Sequence, residues 1–227
     1  MSVHKNGGAK ASGGYRVVAR SSDRAEIYVY GIIGQDWFGD GVTAKQFAED
    51  LKKLGNVKTI DLRINSDGGV VTEARAMYNL LVEHKAKVIT HIDGIAASAA
   101  SFLAMAGEDI EIAEGGFFMI HNARMSARGT AEDFERAATI LRTVNETIVE
   151  TYAARTKNTA ADLKKWMDAE TWFTGKEAVE KGFANRVVAN MQVAASLNNP
   201  DERFVNLPGA LRPRRNVAAS RLAALAR

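Results

Sequence analysis

The stretch "DGIAASAASFLAMAG", residues 93–107, decides how the chain is read. It follows "KVIT", an apolar and β-branched run, so the spacing predicts a strand end passing straight into a helix of small residues. Two serines, Ser98 and Ser101, stand among the alanines. Ser98 falls at the junction. A helix start leaves its first N–H groups unpaired, and the positive end of its dipole favours a neighbouring negative charge. An attacking oxygen there has a stabiliser for developing charge beside it, with the amide of Ala99 as one donor. Ala96, Ala97 and Ala99 leave space for a substrate, although the same alanines would serve close helix packing. Ser101 lies one turn on, inside the helix, where a packing role fits it better.

Outward from this stretch, strand and helix signals alternate. "EIYVYGII" reads as a strand. "TAKQFAEDLKKLG" puts Ala44, Phe47, Ala48, Leu51 and Leu54 on one helical face, with Thr43 and Gln46 as a capping-box pair and Gly55 at its end. "TIDLRIN" alternates Ile60, Leu62 and Ile64 with Asp61 and Arg63, a strand with one face less buried. After "SDGG" a helix turns Ala74, Met77, Tyr78 and Leu81 inward. "KVITHID", "DIEIA", "FFMIH" and "ANRVV" read as further strands. A long helix spans about 131–154 with a stripe of Phe134, Ala137, Leu141, Val144, Ile148 and Tyr152, and shorter ones lie near 160–168 and 175–181. This order predicts an α/β fold whose core is a mainly parallel sheet covered by helices. Such a sheet gathers its chemistry at the carboxyl ends of its strands. Three of those ends carry reactive residues: "INSDGG", "DGIAAS" and "IHN".

Composition narrows the function. The 227 residues are 46% hydrophobic and 25% charged, ordinary for a globular protein, and the net charge is only +3. After Asn190 the chain holds Arg203, Arg212, Arg214, Arg215, Arg221 and Arg227 against Asp201 and Glu202, so this tail carries +4 and the body is near −1. A nucleic-acid surface on the body is therefore disfavoured. There is no cysteine, which excludes a disulfide framework, a thiol nucleophile and a Cys-bound metal and fits a cytoplasmic setting. "MSVHKNGGAKASGGY" lacks the apolar run of a signal peptide, and no run of 18 apolar residues predicts a membrane span. Residues 1–14 are expected to be flexible and 15–190 to form the folded domain. Residues 191–227, which hold all three prolines, are expected to be a basic, disordered extension with a short helix in "VAASRLAALAR".

The reactive strand ends supply complementary groups. In "SDGG", Gly68 and Gly69 allow positive φ and close approach of backbone to a ligand, and the Gly68 amide is a second candidate donor for an oxyanion. His121, after the apolar run "GGFFMI", is the candidate general base. The other histidines suit that role less: His4 is near the start, His84 in a charged helix end and His91 inside a strand. A carboxylate that orients the imidazole is offered by Asp168 or by Glu170, which precedes the aromatic pair Trp172 and Phe173. Thr174 and Glu177 read as a further capping box. No metal-binding cluster, phosphate-binding loop or dinucleotide fingerprint is present, so no cofactor is expected. The G-x-S-x-G nucleophile elbow is also missing, with Ala96 and Ala100 flanking Ser98 in place of its glycines. Each piece alone has a bland structural explanation. Together they supply a nucleophile, a base, an acid and two amide donors, the parts of a serine hydrolase.

The segments "INSDGGVVTEARAMYNLL", "GIAASAASFLAMAG", "FFMIHN", "GTAEDFERA" and "TWFTGKEAVEKGFANRV", in this order, resemble the proteolytic subunit of the Clp protease family over about residues 26–190. "ETW" is more similar to the Clp-like head-maturation proteases of phages and prophages. The resemblance implies a Clp/crotonase-like fold with a protruding handle helix at 131–154. It places Ser98 as nucleophile, His121 as base, Glu170 as the acid where cellular members carry Asp, and Gly68 and Ala99 as oxyanion donors. Gly69 falls in the substrate-binding loop, and Asp67 stands where those members usually carry Pro. It further implies a polypeptide substrate and a homo-oligomeric ring, a heptamer or stacked heptamers. The partner would be an AAA+ unfoldase or a phage capsid or scaffold protein. Two other readings share parts of this pattern: a crotonase-type acyl-CoA enzyme with a two-amide oxyanion hole, and a catalytically inactive ring scaffold.

Overall fold

The computed structural model describes residues 14–35, 41–189 and 204–212. The expected flexible start, the helix in "VAASRLAALAR" and most of the basic extension lie outside these residues.

The alternating apolar runs form one mixed, mainly parallel sheet of eight strands. Strands β1 (Tyr15–Ala19) and β2 (Arg24–Ile33) make an antiparallel hairpin. From β2 the sheet continues in parallel through β3 (Thr59–Gly69), β4 (Lys87–Ala97), β5 (Asp109–Ala113) and β8 (Arg186–Val188). Helices α1 (Ala44–Lys53), α2 (Val71–Val82) and α3 (Ala99–Ala104) fall between successive parallel strands. Their buried Phe47, Leu51, Met77, Leu81, Phe102 and Leu103 share one core with Ile27, Val29, Ile60, Leu62 and Ile64 of the sheet. Residues of the opposite parity make polar pairs on the other face: His91 stands between Asp61 and Glu111, Arg24 pairs with Asp61, and Arg63 pairs with Asp93. Asp61 and Arg63 are buried there, so charge pairing rather than solvent accounts for that side of the alternation.

Strand β4 forks the sheet. Its first part, Ile89–Ile92, pairs with β5, and its last part, Ile95–Ala97, pairs with β6 (Phe117–Ile120). β6 in turn pairs antiparallel with β7 (Thr171–Thr174). The two antiparallel additions, β1 and β7, are five and four residues long and carry no clear periodic signal of their own. At the fork β4 is buried on both faces: Ala96 belongs to the main core, whereas Ile95 and Ala97 join a second cluster with Met119, Phe204 and Leu207. The apolar run "GIAA" is therefore a doubly covered strand end.

Among the described residues the remaining α-helices are α4 (Ala131–Thr156), α5 (Ala160–Asp168) and α6 (Gly175–Glu180). Thr130 with Asp133 and Thr174 with Glu177 close reciprocal capping boxes at α4 and α6. At α1 only half of the expected box forms: Thr43 accepts from the Gln46 amide, but the Gln46 side chain reaches Asp50 at 2.8 Å. The stripe along α4 is buried only toward its end, at Ile148, Val149 and Tyr152; Phe134 and Ile140 are more than half exposed. No described helix is long and apolar enough to cross a membrane.

Candidate active site

The junction after β4 has a backbone that few L-residues adopt. Ser98 sits at φ 54° and ψ −125°, between the strand and α3. Such a conformation costs on the order of 1–3 kcal/mol and persists only where neighbours impose it. Here they do. The Ser98 N–H donates to the Met119 carbonyl at 3.0 Å, which ties it to β6. Its carbonyl accepts from the amides of Ser101 and Phe102 at 3.0 and 3.3 Å and from the Ser101 hydroxyl at 2.6 Å. Ser101 is in turn 2.8 Å from the Tyr152 hydroxyl, so α4 braces the turn. The sharp strand-to-helix elbow is present without its flanking glycines. The alanines expected to leave space beside Ser98 are themselves packed inside the elbow. Ala96, Ala97 and Ala100 are wholly buried and Ala99 nearly so; they let the elbow pack tightly.

Tight packing also explains "SDGG". A Cβ at Gly68 would stand 2.6 Å from the Ala97 carbonyl oxygen, 2.8 Å from the Ser98 Cβ and 2.9 Å from the Ala99 nitrogen. Its φ of +95° excludes ordinary side chains as well. The two expected donors, Gly68 and Ala99, are thus neighbours beside Ser98. The Gly68 amide donates to the Ser66 hydroxyl at 3.1 Å, an ordinary hydrogen bond that a developing oxyanion would have to replace.

His121 follows β6, and its Nε2 lies 2.8 Å from Ser98 Oγ. The β6–β7 register pairs Ile120 with Thr171, so the next residues out, His121 and Glu170, come opposite each other. Glu170 is nearly fully buried at 4% exposure, with φ +47°. Its Oε2 is 3.6 Å from His121 Nδ1, longer than a hydrogen bond. That same oxygen accepts from Arg124 Nη2 at 2.5 Å, and Oε1 accepts from the Asn206 main-chain N–H at 2.7 Å. Asp168, the other acid considered, is exposed at the end of α5 and takes the Asn122 side-chain amide at 2.8 Å.

An open cleft of about 260 Å³ runs past Ser98 and His121 and is lined also by Asp67, Gly69, Val71, Ala123, Arg124 and Phe204. Gly69 reaches it as the last residue of β3, where a Cβ would collide with the Ile33 carbonyl at 2.0 Å. The sequence reading did not anticipate Arg124, Asn206 or Phe204. A basic residue three places after the candidate base was a usable signal for Arg124. Nothing local marks Asn206 and Phe204, which reach the site across a long stretch of chain. Among the described residues no group of three or more His, Asp or Glu is placed to hold a metal ion.

Residues 13–191 match the family model for Clp protease, most of the chain, and the chain belongs to that family. Membership points to a serine-type peptidase, and members typically form oligomeric rings that act on polypeptides.

Proposed function

We propose that this chain is a serine endopeptidase in which Ser98 is the nucleophile, His121 the general base and Glu170 the orienting acid. The observation that carries the reading is the 2.8 Å contact between His121 Nε2 and Ser98 Oγ on a strained elbow. His121 removes the Ser98 proton as the oxygen attacks a peptide carbonyl. The amides of Ala99 and Gly68 receive the oxyanion, Gly68 exchanging its bond to Ser66 for it. His121 then protonates the leaving amine, and water completes hydrolysis by the same route in reverse. Glu170 holds the imidazole and stabilises its charged form, which requires the 3.6 Å gap to close as charge develops. Gly69 and the cleft beside it hold the substrate backbone. No cofactor enters this chemistry.

The exposed half of α4, with Phe134 and Ile140, provides the handle through which subunits stack into a ring, a heptamer or a pair of them. The finer resemblance to head-maturation proteases supports a phage capsid or scaffold protein as substrate, with an AAA+ unfoldase as the other candidate partner.

A fluorophosphonate probe tests the reading. It should label the wild-type chain covalently and leave Ser98→Ala unlabelled, with hydrolysis of peptides lost to background, a drop of about 10⁶ in turnover by analogy with other serine peptidases. Equal labelling of both chains, or of neither, would overturn it. Light scattering on the eluted protein tests the ring, and a monomer at working concentration would count against it.

A further inference from the structure

Residues 204–212 lie within the stretch that composition marks as a basic extension, yet they are seated at the reactive end of the sheet. Phe204 and Leu207 are buried in one cluster with Ile95, Ala97 and Met119. They cover the face of the β4–β6 fork that the helices leave open. Phe204 meets Trp172 edge-on, with centroids 5.2 Å apart at 84°, and lies 6.3 Å from the His121 ring. The Asn206 side chain donates to the Ala169 carbonyl at 2.6 Å, and its main-chain N–H donates to Glu170 at 2.7 Å. The segment thus touches the candidate base and the candidate acid at once. It does not plug the site, because the cleft past Ser98 stays open with Phe204 as part of its wall.

Resting on the peptidase reading above, we infer that this segment is a working part of the site. Phe204 forms, with Val71 and Ala123, the apolar wall that selects an apolar substrate side chain beside the scissile bond. The Asn206 main-chain N–H positions the Glu170 carboxylate against His121. Asn206 is a positioning residue, since it acts through Glu170.

The test uses the full chain, an active-site count by fluorophosphonate, and two peptidyl coumarin amides that differ only in leucine or lysine before the coumarin. Phe204→Ala should raise KM for the leucyl peptide about tenfold with little change in kcat, and leave the lysyl peptide unaffected. Phe204→Leu should restore the leucyl preference, and Phe204→Gln, close to leucine in size but polar, should lose it. That pair carries the test even if the alanine variant does not fold. Asn206→Pro removes the N–H and should slow kcat on both peptides about tenfold at unchanged labelling end-point. Asn206→Ala keeps the N–H and should stay near wild type. Unchanged preference in the Phe204 variants, equal behaviour of the two Asn206 variants, or faster hydrolysis in any of them overturns the inference, the last by showing an obstructing segment. Failure of the parent reading looks different: there the wild-type chain itself is not labelled, or Ser98→Ala hydrolyses the peptides as well as wild type.

Discussion

Two histidines end up beside carboxylates, and their settings differ in a way that separates support from chemistry. His91 stands in the middle of β4 with Asp61 2.9 Å from Nε2 and Glu111 2.8 Å from Nδ1. Ionised carboxylates accept hydrogen bonds and donate none, so neither ring nitrogen is offered a proton to take. Arg24 binds Asp61 through two nitrogens at 2.5 and 2.7 Å, and Arg186 pairs with Glu111 and, at 2.9 Å, with Asp109. The result is a cross-strand staple. His121 stands at a strand end with a hydroxyl on Nε2, a group that can donate, and with its carboxylate offset to 3.6 Å. Proximity of histidine to acid is common to both. What distinguishes the second is the donor on the far side of the ring.

The sharpest break of this comparison is at the acid. Glu170→Gln should slow acylation by fluorophosphonate and peptide turnover by about 10³–10⁴, since the imidazole loses the charge that orients and stabilises it. Asp168→Asn alters an exposed carboxylate that accepts from the Asn122 side chain and should leave both within about twofold. The reverse pattern would move the third role to Asp168.

Next comes Gly68→Ala. The added Cβ meets Ser98 and the Ala99 amide within 3 Å at a positive φ, so the elbow must shift. Turnover should fall about 10²–10³, the scale of a lost oxyanion donor, and labelling kinetics read it directly. A variant as fast as wild type would dissociate Gly68 from the chemistry.

At the staple the expected effect is on stability alone. Asp61→Asn should cost about 1–3 kcal/mol at neutral pH by urea unfolding, with peptide turnover per active site unchanged. Burial pushes the Asp61 carboxyl up, but hydrogen bonds from His91 and Arg24, and their charges, outweigh it and hold it at about 2. A carboxyl depressed on folding stabilises the protein above its unfolded value and loses that contribution as pH falls through its folded value. The gap between wild type and Asp61→Asn should therefore narrow below about pH 4 and close toward pH 2. A gap independent of pH would mean that packing, not charge, holds the staple.

The smallest effect is expected at Arg124, half exposed over Glu170. Arg124→Gln removes a cation beside the His121–Glu170 pair, so the imidazole should bind its proton more readily. The acid limb of the kcat/KM profile should move to higher pH, with the plateau within about threefold of wild type. A shift to lower pH would contradict the electrostatic account of this site.

Much of the fold was legible because its cause is local. The period-two runs at Ile60–Ile64 and the 3.6-period faces of α1 and α2 report one-sided burial, and both appear where the spacing puts them. Ser98 at a strand-to-helix junction was legible for the same reason. Strand β7 was not, since four residues give too short a pattern to read. Local pattern alone did not separate the two carboxylates in "MDAE", because both lie within two residues of the turn; the family resemblance favoured Glu170, and the pairing of β7 with β6 brings it opposite His121. Phe204 and Asn206 had no local signal: a basic, proline-containing stretch reads as solvated until the uncovered face of the β4–β6 fork is known.

The sequence by itself determined the parallel α/β core, the serine at the strand end, and the glycines and histidine at the other two strand ends. These follow from burial periodicity and from the backbone needs of single residues. Tertiary structure alone decided the positive φ of Ser98, how far the Glu170 carboxylate lies from His121, and that a C-terminal segment walls the cleft. Those outcomes depend on contacts between segments far apart in the chain, where the free energy of one stretch is set by surface that another leaves uncovered.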